Sequence, residues 1–392
     1  MTTPVGRRPL VAAAMSEHPL ATHAVGESVG HLLEKGGPRP DLVVLAVTGP
    51  YLGALEDISA AVRQLLSPAV LIGAGAESVL GGGREVEGIG ALTLFALWGA
   101  PEVPTPALVR PVRLADTTVP DLPAAIDVEA LRGADGTLVL LGEPFTVRPD
   151  HVVERLDEIA PDLVVVGGMA SAARAPGGNR LVLDGAIHTD GLVGALIDPS
   201  VTVTTVVSQG CRPIGVPMTV TRAEGNIVRE LAGRPALDRL MEMVHTLSPE
   251  DRALAASGLH LGRVVDERRG EFGRGDFLIR NVLGADREIG SIAVGDIVEV
   301  GCTVQFHVRD ATTADEDLRS LMADHGGAAG ALVFTCNGRG RRLFGVADHD
   351  AGVVSESLDG AAVAGMFCAG EIGPIGDSTF VHGLTASVAL FG

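Results

Sequence analysis

The chain has 392 residues, 46% hydrophobic and 20% charged, and a formal net charge of -19. That length exceeds one ordinary core and the apolar content excludes a disordered chain, so two or three folded domains are expected. The acidic balance argues against a nucleic-acid surface, and with Lys35 as the single lysine there is no GK[ST] phosphate loop and no plausible lysine for a Schiff base or pyridoxal cofactor.

At the start, Arg7-Arg8 precedes the apolar run "PLVAAAM", but Glu17 and His18 cut it short of a secretory core. No run approaches membrane-spanning length, so a cytoplasmic protein is expected. The first regular unit is "DLVVLAVTG", the helical "EDISAAVRQLL", "SPAVLIGAGAES" and "GIGALTLFALWG". A proline-rich stretch from Pro101 to Pro123 reads as a link. A second unit follows with the same order: "GTLVLLGEPF", "RPDHVVERLDEIA", "PDLVVVGGMAS" and "GLVGALI". Its helix carries Val152, Val153, Leu156 and Ile159 on one face, with Pro149-Asp150 suited to a helix start. Pro68 and Pro161 precede their strands alike, and Ser78 and Ser171 close them alike.

A boundary is placed near Gly210, giving domains 1–210 and 211–392. Beyond it, "GVPMTVTRAEGNIVRELAG" alternates like a hairpin about Glu224-Gly225-Asn226, and further strands separated by turns predict an antiparallel region. Asp315, Glu316 and Asp317 read as a solvated helix face. The third unit closes the chain: "GALVFTCNGRG", "GVVSESL", "AAVAGMFCAGEIG" and "HGLTASVALFG". Short continuous apolar runs joined by helices predict parallel strands with right-handed crossovers. The fold class expected is α+β, with repeated strand-helix-strand units forming mixed sheets in two domains.

Cys211, Cys302, Cys336 and Cys368 show no C-x-x-C and no paired spacing, which suits thiols in a reducing compartment better than a disulfide frame or zinc site. "HTD" at 188–190 and "DHD" at 348–350 contain ligand types without a metal-binding spacing. The glycine clusters after the first two crossovers do not complete G-x-G-x-x-G. No cofactor or metal is implied.

Five stretches carry a family likeness. "QGCRPIGVPMTVTRAEGNIVRELAGRPALDRL", "ALVFTCNGRGRRLFG" and "GMFCAGEIGP", in this order, resemble the C-terminal half of the FIST proteins. "DLVVLAVTGPY" and "AVLIGAGAES" resemble the FIST N-terminal domain. The resemblance implies a sensory module that binds a small ligand, such as an amino acid or similar metabolite. The two FIST-like halves use up the sequence, so a signal is expected to pass through a separate protein partner.

Candidate ligand-binding residues are Cys336, Asn337, Arg339, Gly370, Glu371 and His382. The loops after "ALVFT" and "VAGMF" leave the carboxyl ends of two strands, where ligands of parallel sheets bind. Arg339 offers a planar fork for a carboxylate and Glu371 an acceptor for an ammonium, together suiting an amino-acid-like zwitterion. Alternatively the two residues simply pair with each other. A cysteine-dependent hydrolase or transferase, with Cys336 or Cys368 as nucleophile and His382 as base, is a rival reading. An interaction scaffold with a vestigial pocket is another. Glu77 stands in a place comparable to Glu371, which allows a second, degenerate pocket in the first repeat.

Overall fold

A computed structural model describes residues 9–99, 108–117, 125, 126 and 128–392. Arg7-Arg8 and most of the proline-rich stretch lie outside the described residues, although Val109–Leu114 within that stretch is a strand. The chain forms two compact units: residues 1–207, 318–381 and 385–392 in one, 208–317 and 382–384 in the other. A sequential cut after residue 210 therefore divides the chain differently from its packing, because most of the C-terminal repeat returns to the first unit.

The three repeats expected from sequence are present. Each contains a parallel pair joined by a helix: Leu42–Thr48 with Val70–Ala76, Gly136–Gly142 with Leu163–Met169, and Gly330–Cys336 with Ala362–Cys368. The helices are Leu55–Leu66, Pro149–Ile159 and His349–Ser357. After each pair comes a hairpin, then a closing strand that lies antiparallel beside the first parallel strand: Leu92–Trp98, Leu192–Ile197 and Thr385–Phe391. A leading strand (Leu10–Ser16, Val109–Leu114 or Val203–Gln209) borders each closing strand.

The hairpins are exchanged in a cycle. Ser78–Gly81 of the first repeat pairs with Ala362–Cys368 of the third. Leu181–Leu183 of the second pairs with Val70–Ala76 of the first. Glu371–Ile375 of the third pairs with Leu163–Met169 of the second. Three six-stranded mixed sheets result, each built from two repeats. An exposed strand edge is a template for wrong pairing, and here each parallel edge is covered by a neighbour's hairpin.

Alternation along the strands decides what each face does. Val44, Ala46, Ile72, Val139, Val166, Phe334, Met366 and Phe391 from all three sheets meet in one buried cluster. The opposite faces carry the helices, with Ile58 and Val62 on the first, Val152 and Leu156 on the second, and Val353 and Val354 on the third. These strands are covered on both sides, which is why their sequences read as unbroken apolar runs.

The unit of residues 208–317 is a separate antiparallel structure. Cys211–Glu224 turns at Gly225 (φ +58°) into Ile227–Leu231, as the Glu224-Gly225-Asn226 signal predicted. Its core gathers Val220, Leu231, Leu240, Ile292 and Phe306. The acidic helix is not solvated all round: Asp317 is buried and accepts from Ser208 Oγ at 2.9 Å and the Gln209 N–H at 2.8 Å.

One glycine per repeat fixes the register. Gly73, Gly167 and Gly365 lie opposite Leu45, Leu140 and Val333. A Cβ there would stand 2.7, 1.9 and 1.9 Å from the partner residue's carbonyl oxygen. Gly365→Ala should therefore overpack the third sheet and destabilise by about 1–3 kcal/mol or more. A urea midpoint equal to wild type would contradict this reading of the strand contact.

Candidate functional site

The loop after the strand ending at Cys336 turns back at once. Arg339 N–H bonds to the Cys336 carbonyl at 2.8 Å, and the Asn337 N–H bonds to the Cys368 carbonyl at 3.0 Å. This turn drives Arg339 inward, where it is wholly buried. Its guanidinium fork grips Asp350, Nε to Oδ2 at 2.7 Å and Nη2 to Oδ1 at 2.8 Å. Asp350 is also buried and further accepts from Thr335 Oγ1 at 2.6 Å, with His349 Nδ1 2.9 Å from Oδ1. The guanidinium lies 5.2 Å from the Phe344 ring centroid. Burial alone would raise the Asp350 carboxyl, but the Arg339 charge and hydrogen bonds override it and hold it well below the usual range.

Glu371 opens the exchanged hairpin, register partner of Gly168, and is fully buried. Its Oε2 accepts from Thr385 Oγ1 at 2.9 Å and from the Thr385 N–H at 3.2 Å. The Cys336 thiol stands beside the carboxylate. Burial pushes the Glu371 pKa up to about 8 despite the opposing pull of Thr385, Cys336 and Arg339. Glu85, on the first repeat's hairpin, is likewise pushed up to about 7, by burial and by repulsion from Asp350. Its Oε1 accepts the Ala351 N–H at 3.0 Å, at the start of the third repeat's helix.

Four buried atoms of these side chains lack a hydrogen-bond partner of good geometry among the described residues: Arg339 Nη1, Asn337 Oδ1, Glu371 Oε1 and Glu85 Oε2. A buried polar group without a partner costs about 1–3 kcal/mol, so such a concentration calls for an explanation. The cluster nears solvent at half-buried Cys336, Asn337 and Gly338 and at exposed Ala369.

The repeats supply an internal comparison. With Gly73, Gly167 and Gly365 taken as equivalent, the hairpin residue paired to each glycine is Val182, Ile372 or Leu80, and the residue before it is Leu181, Glu371 or Val79. Leu181 and Val79 are fully buried core residues. The place that sequence alone assigned to Glu77 as counterpart of Glu371 is thus held by Val79. Glu77 instead pairs with the exposed Arg342 at 2.6 Å. By the same register Cys336 answers to Thr48 and Glu143, and Cys368 to Ala76 and Ala170.

Of the residues expected from sequence, Cys336, Arg339 and Glu371 come together electrostatically, and Asn337 and Gly370 flank them. Arg339 and Glu371 are not each other's main partners; Arg339 is committed to Asp350. Its fork is therefore unavailable for a ligand carboxylate, leaving only Nη1. His382 is buried and falls in the second compact unit. Sequence reasoning missed Thr335, Thr385 and Glu85, and weighed Asp350 only as part of the "DHD" pattern. Asp350 had a usable signal, a carboxylate one residue inside a helix start and beside an apolar run.

The chain belongs to the FIST family. The family model for the FIST N domain matches residues 41–234 and that for the FIST C domain residues 236–374, together most of the chain. Members are generally regarded as small-ligand sensory domains of signalling proteins. The uncharacterized protein Mb0898c of Mycobacterium bovis is 42% identical over 388 residues, 95% of this chain and 96% of its own length. The uncharacterized protein Rv0628c of Mycobacterium tuberculosis is 40% identical over 397 residues, 97% of this chain and 99% of its own. Among the described residues no helix is long and apolar enough to cross a membrane.

Two outcomes follow from this geometry. Removing either member of the buried pair, by Arg339→Ala or Asp350→Ala, leaves an uncompensated charge and should cost about 3–5 kcal/mol, read from denaturant midpoints. Arg339→Ala is therefore not expected to spare the fold, contrary to a purely ligand-facing role. Glu371 holds its proton in the folded state up to about pH 8, whereas an ordinary glutamate releases it near 4.5. The folded state binds the extra proton across that window, so stability is greatest below it and falls as pH rises through it. Glu371→Gln should make that decline in Tm visibly shallower; a slope identical to wild type would count against the assignment.

Proposed function

We propose that this chain is a cytoplasmic small-ligand sensor whose ligand, an amino-acid-like metabolite, is held by Glu371, Asn337 and Nη1 of Arg339, and whose signal passes to a separate protein. The observation that carries the reading is the broken repeat symmetry: where two repeats bury Leu181 and Val79, the third buries a carboxylate whose Oε1 lacks a hydrogen-bond partner of good geometry among the described residues. Burying a carboxyl group without full pairing is costly, and a ligand ammonium at Glu371 Oε1 would offset that cost. Asp350 and Thr335 act on the ligand only through Arg339, by fixing where Nη1 points. Cys336 and Gly370 border the same place, and family membership in a group of small-ligand sensors is consistent with it.

Glu371 is largely protonated near neutral pH, so capture of an ammonium must ionise it and release a proton. A thermal-shift screen against amino acids and related amines should yield a hit, since saturation at a hundredfold over Kd adds about 2.7 kcal/mol. Calorimetry of that hit in buffers of different ionisation enthalpy should show proton release, and Glu371→Gln should lose both binding and release. A hit that survives Glu371→Gln with unchanged affinity would place the ligand elsewhere.

A further inference from the structure

Cys336 and Cys368 are register partners at the ends of two neighbouring parallel strands. Cys368 faces the central core with Ala364 and Met366, and Cys336 continues the inward alternation of Leu332 and Phe334, so both side chains emerge on one sheet face. Neighbouring strands lie about 4.8 Å apart, within the roughly 4.4–6.8 Å between Cα atoms that disulfides span. Each cysteine is the last residue of its strand, and Gly338 and Gly370 follow, so the strand ends can give the further ångström or so that the sulfurs need.

The surroundings of the two thiols differ. Cys336 is half-buried at the solvent side, receives the Gly338 N–H on its sulfur at 3.4 Å, and feels the Arg339 guanidinium and the Glu371 carboxyl. These are the elements of an activated thiol: a carboxyl that takes the proton once ionised, and a charge and an N–H for the thiolate. Cys368 is fully buried, its Sγ set against Gly168, where a Cβ would lie 2.4 Å away. Its Sγ lies 3.6 Å from the Met366 carbonyl oxygen, and it interacts electrostatically with Cys336.

We propose that Cys336 and Cys368 form a peroxide-oxidised dithiol site, with Cys336 the reacting thiol and Cys368 the resolving one. In the ionised form of Glu371, which grows as pH rises towards 8, Cys336 gives its proton to that carboxylate, and its thiolate attacks one oxygen of a hydroperoxide. The O–O bond breaks, Cys336 becomes a sulfenic acid, and the departing alkoxide or hydroxide takes the proton back from Glu371. The Cys368 sulfur then attacks the Cys336 sulfur, and the sulfenic hydroxyl leaves as water with the Cys368 proton. Two thiols are oxidised by two electrons, and the peroxide is reduced to water and an alcohol, or to two waters if it is hydrogen peroxide. This site does not depend on the ligand proposed above.

The test exposes the purified full chain to stoichiometric hydrogen peroxide, blocks remaining thiols by alkylation, and maps the cysteines by mass spectrometry of a tryptic digest. The expected product is a peptide pair linked through Cys336 and Cys368, with Cys211 and Cys302 still alkylated as internal controls. In Cys368→Ser the link should vanish and a dimedone adduct appear on Cys336; in Cys336→Ser, Cys368 should stay alkylatable after denaturation. A variant that does not fold is replaced by a second reading on the wild-type chain: the rate of iodoacetamide labelling against pH, with Cys336 labelling at least tenfold faster than Cys302. Peroxide-treated wild-type protein in which Cys336 and Cys368 remain unlinked, or link instead to Cys211 or Cys302, would overturn the proposal.

Discussion

The first unit rests on the exchange of hairpins. A parallel pair of strands has one edge filled by its own closing strand and the other left bare, with unpaired N–H and C=O groups that cannot be buried at no cost. Each repeat covers that edge on another repeat, so the three sheets are mutually dependent and close around a shared core. The same cycle delivers Glu371 to Gly168 of the second repeat and Glu85 to the helix start of the third. Polar groups far apart in sequence thereby meet at the strand ends of the third repeat.

Quasi-equivalence makes the chemistry readable. Three positions with the same backbone environment should favour the same kind of side chain, and two of them carry Leu181 and Val79. Glu371 departs from that rule at an energetic cost, whereas Cys336 stands where the other repeats bury Thr48 and Glu143, and Cys368 where they bury Ala76 and Ala170. Buried departures of this sort are expected where function has displaced packing. Arg339 and Asp350 belong to the support: a bidentate pair, desolvated on all sides, aligns the loop on which Cys336 and Asn337 stand.

The same carboxyl serves two proposed chemistries through one property. A glutamate whose pKa is pushed up to about 8 can, in its protonated form, yield a proton when an ammonium arrives and, in its ionised form, accept one from a neighbouring thiol. Both uses follow from burial beside an incomplete set of hydrogen-bond donors. The two proposals are separated by their readouts, proton release on ligand binding in one and a specific disulfide in the other.

Much of this was legible in the sequence. The strand-helix-strand repeats announced themselves because strands covered on both faces must be continuously apolar and crossover helices must be amphipathic, and the turn at Glu224-Gly225-Asn226 followed from local backbone preference. The candidate loop residues could be named because parallel sheets place their functional loops at one edge. Only the tertiary structure decided the rest. Which repeat's hairpin covers which edge depends on contacts between residues hundreds of positions apart, so sequence proximity misassigned Glu77 as the counterpart of Glu371 and left the C-terminal repeat in a separate domain. Asp350 and Arg339 lie eleven residues apart with a turn and a helix start between them. No periodicity records their pairing, because a buried ion pair is chosen by the dielectric and geometry of the folded interior.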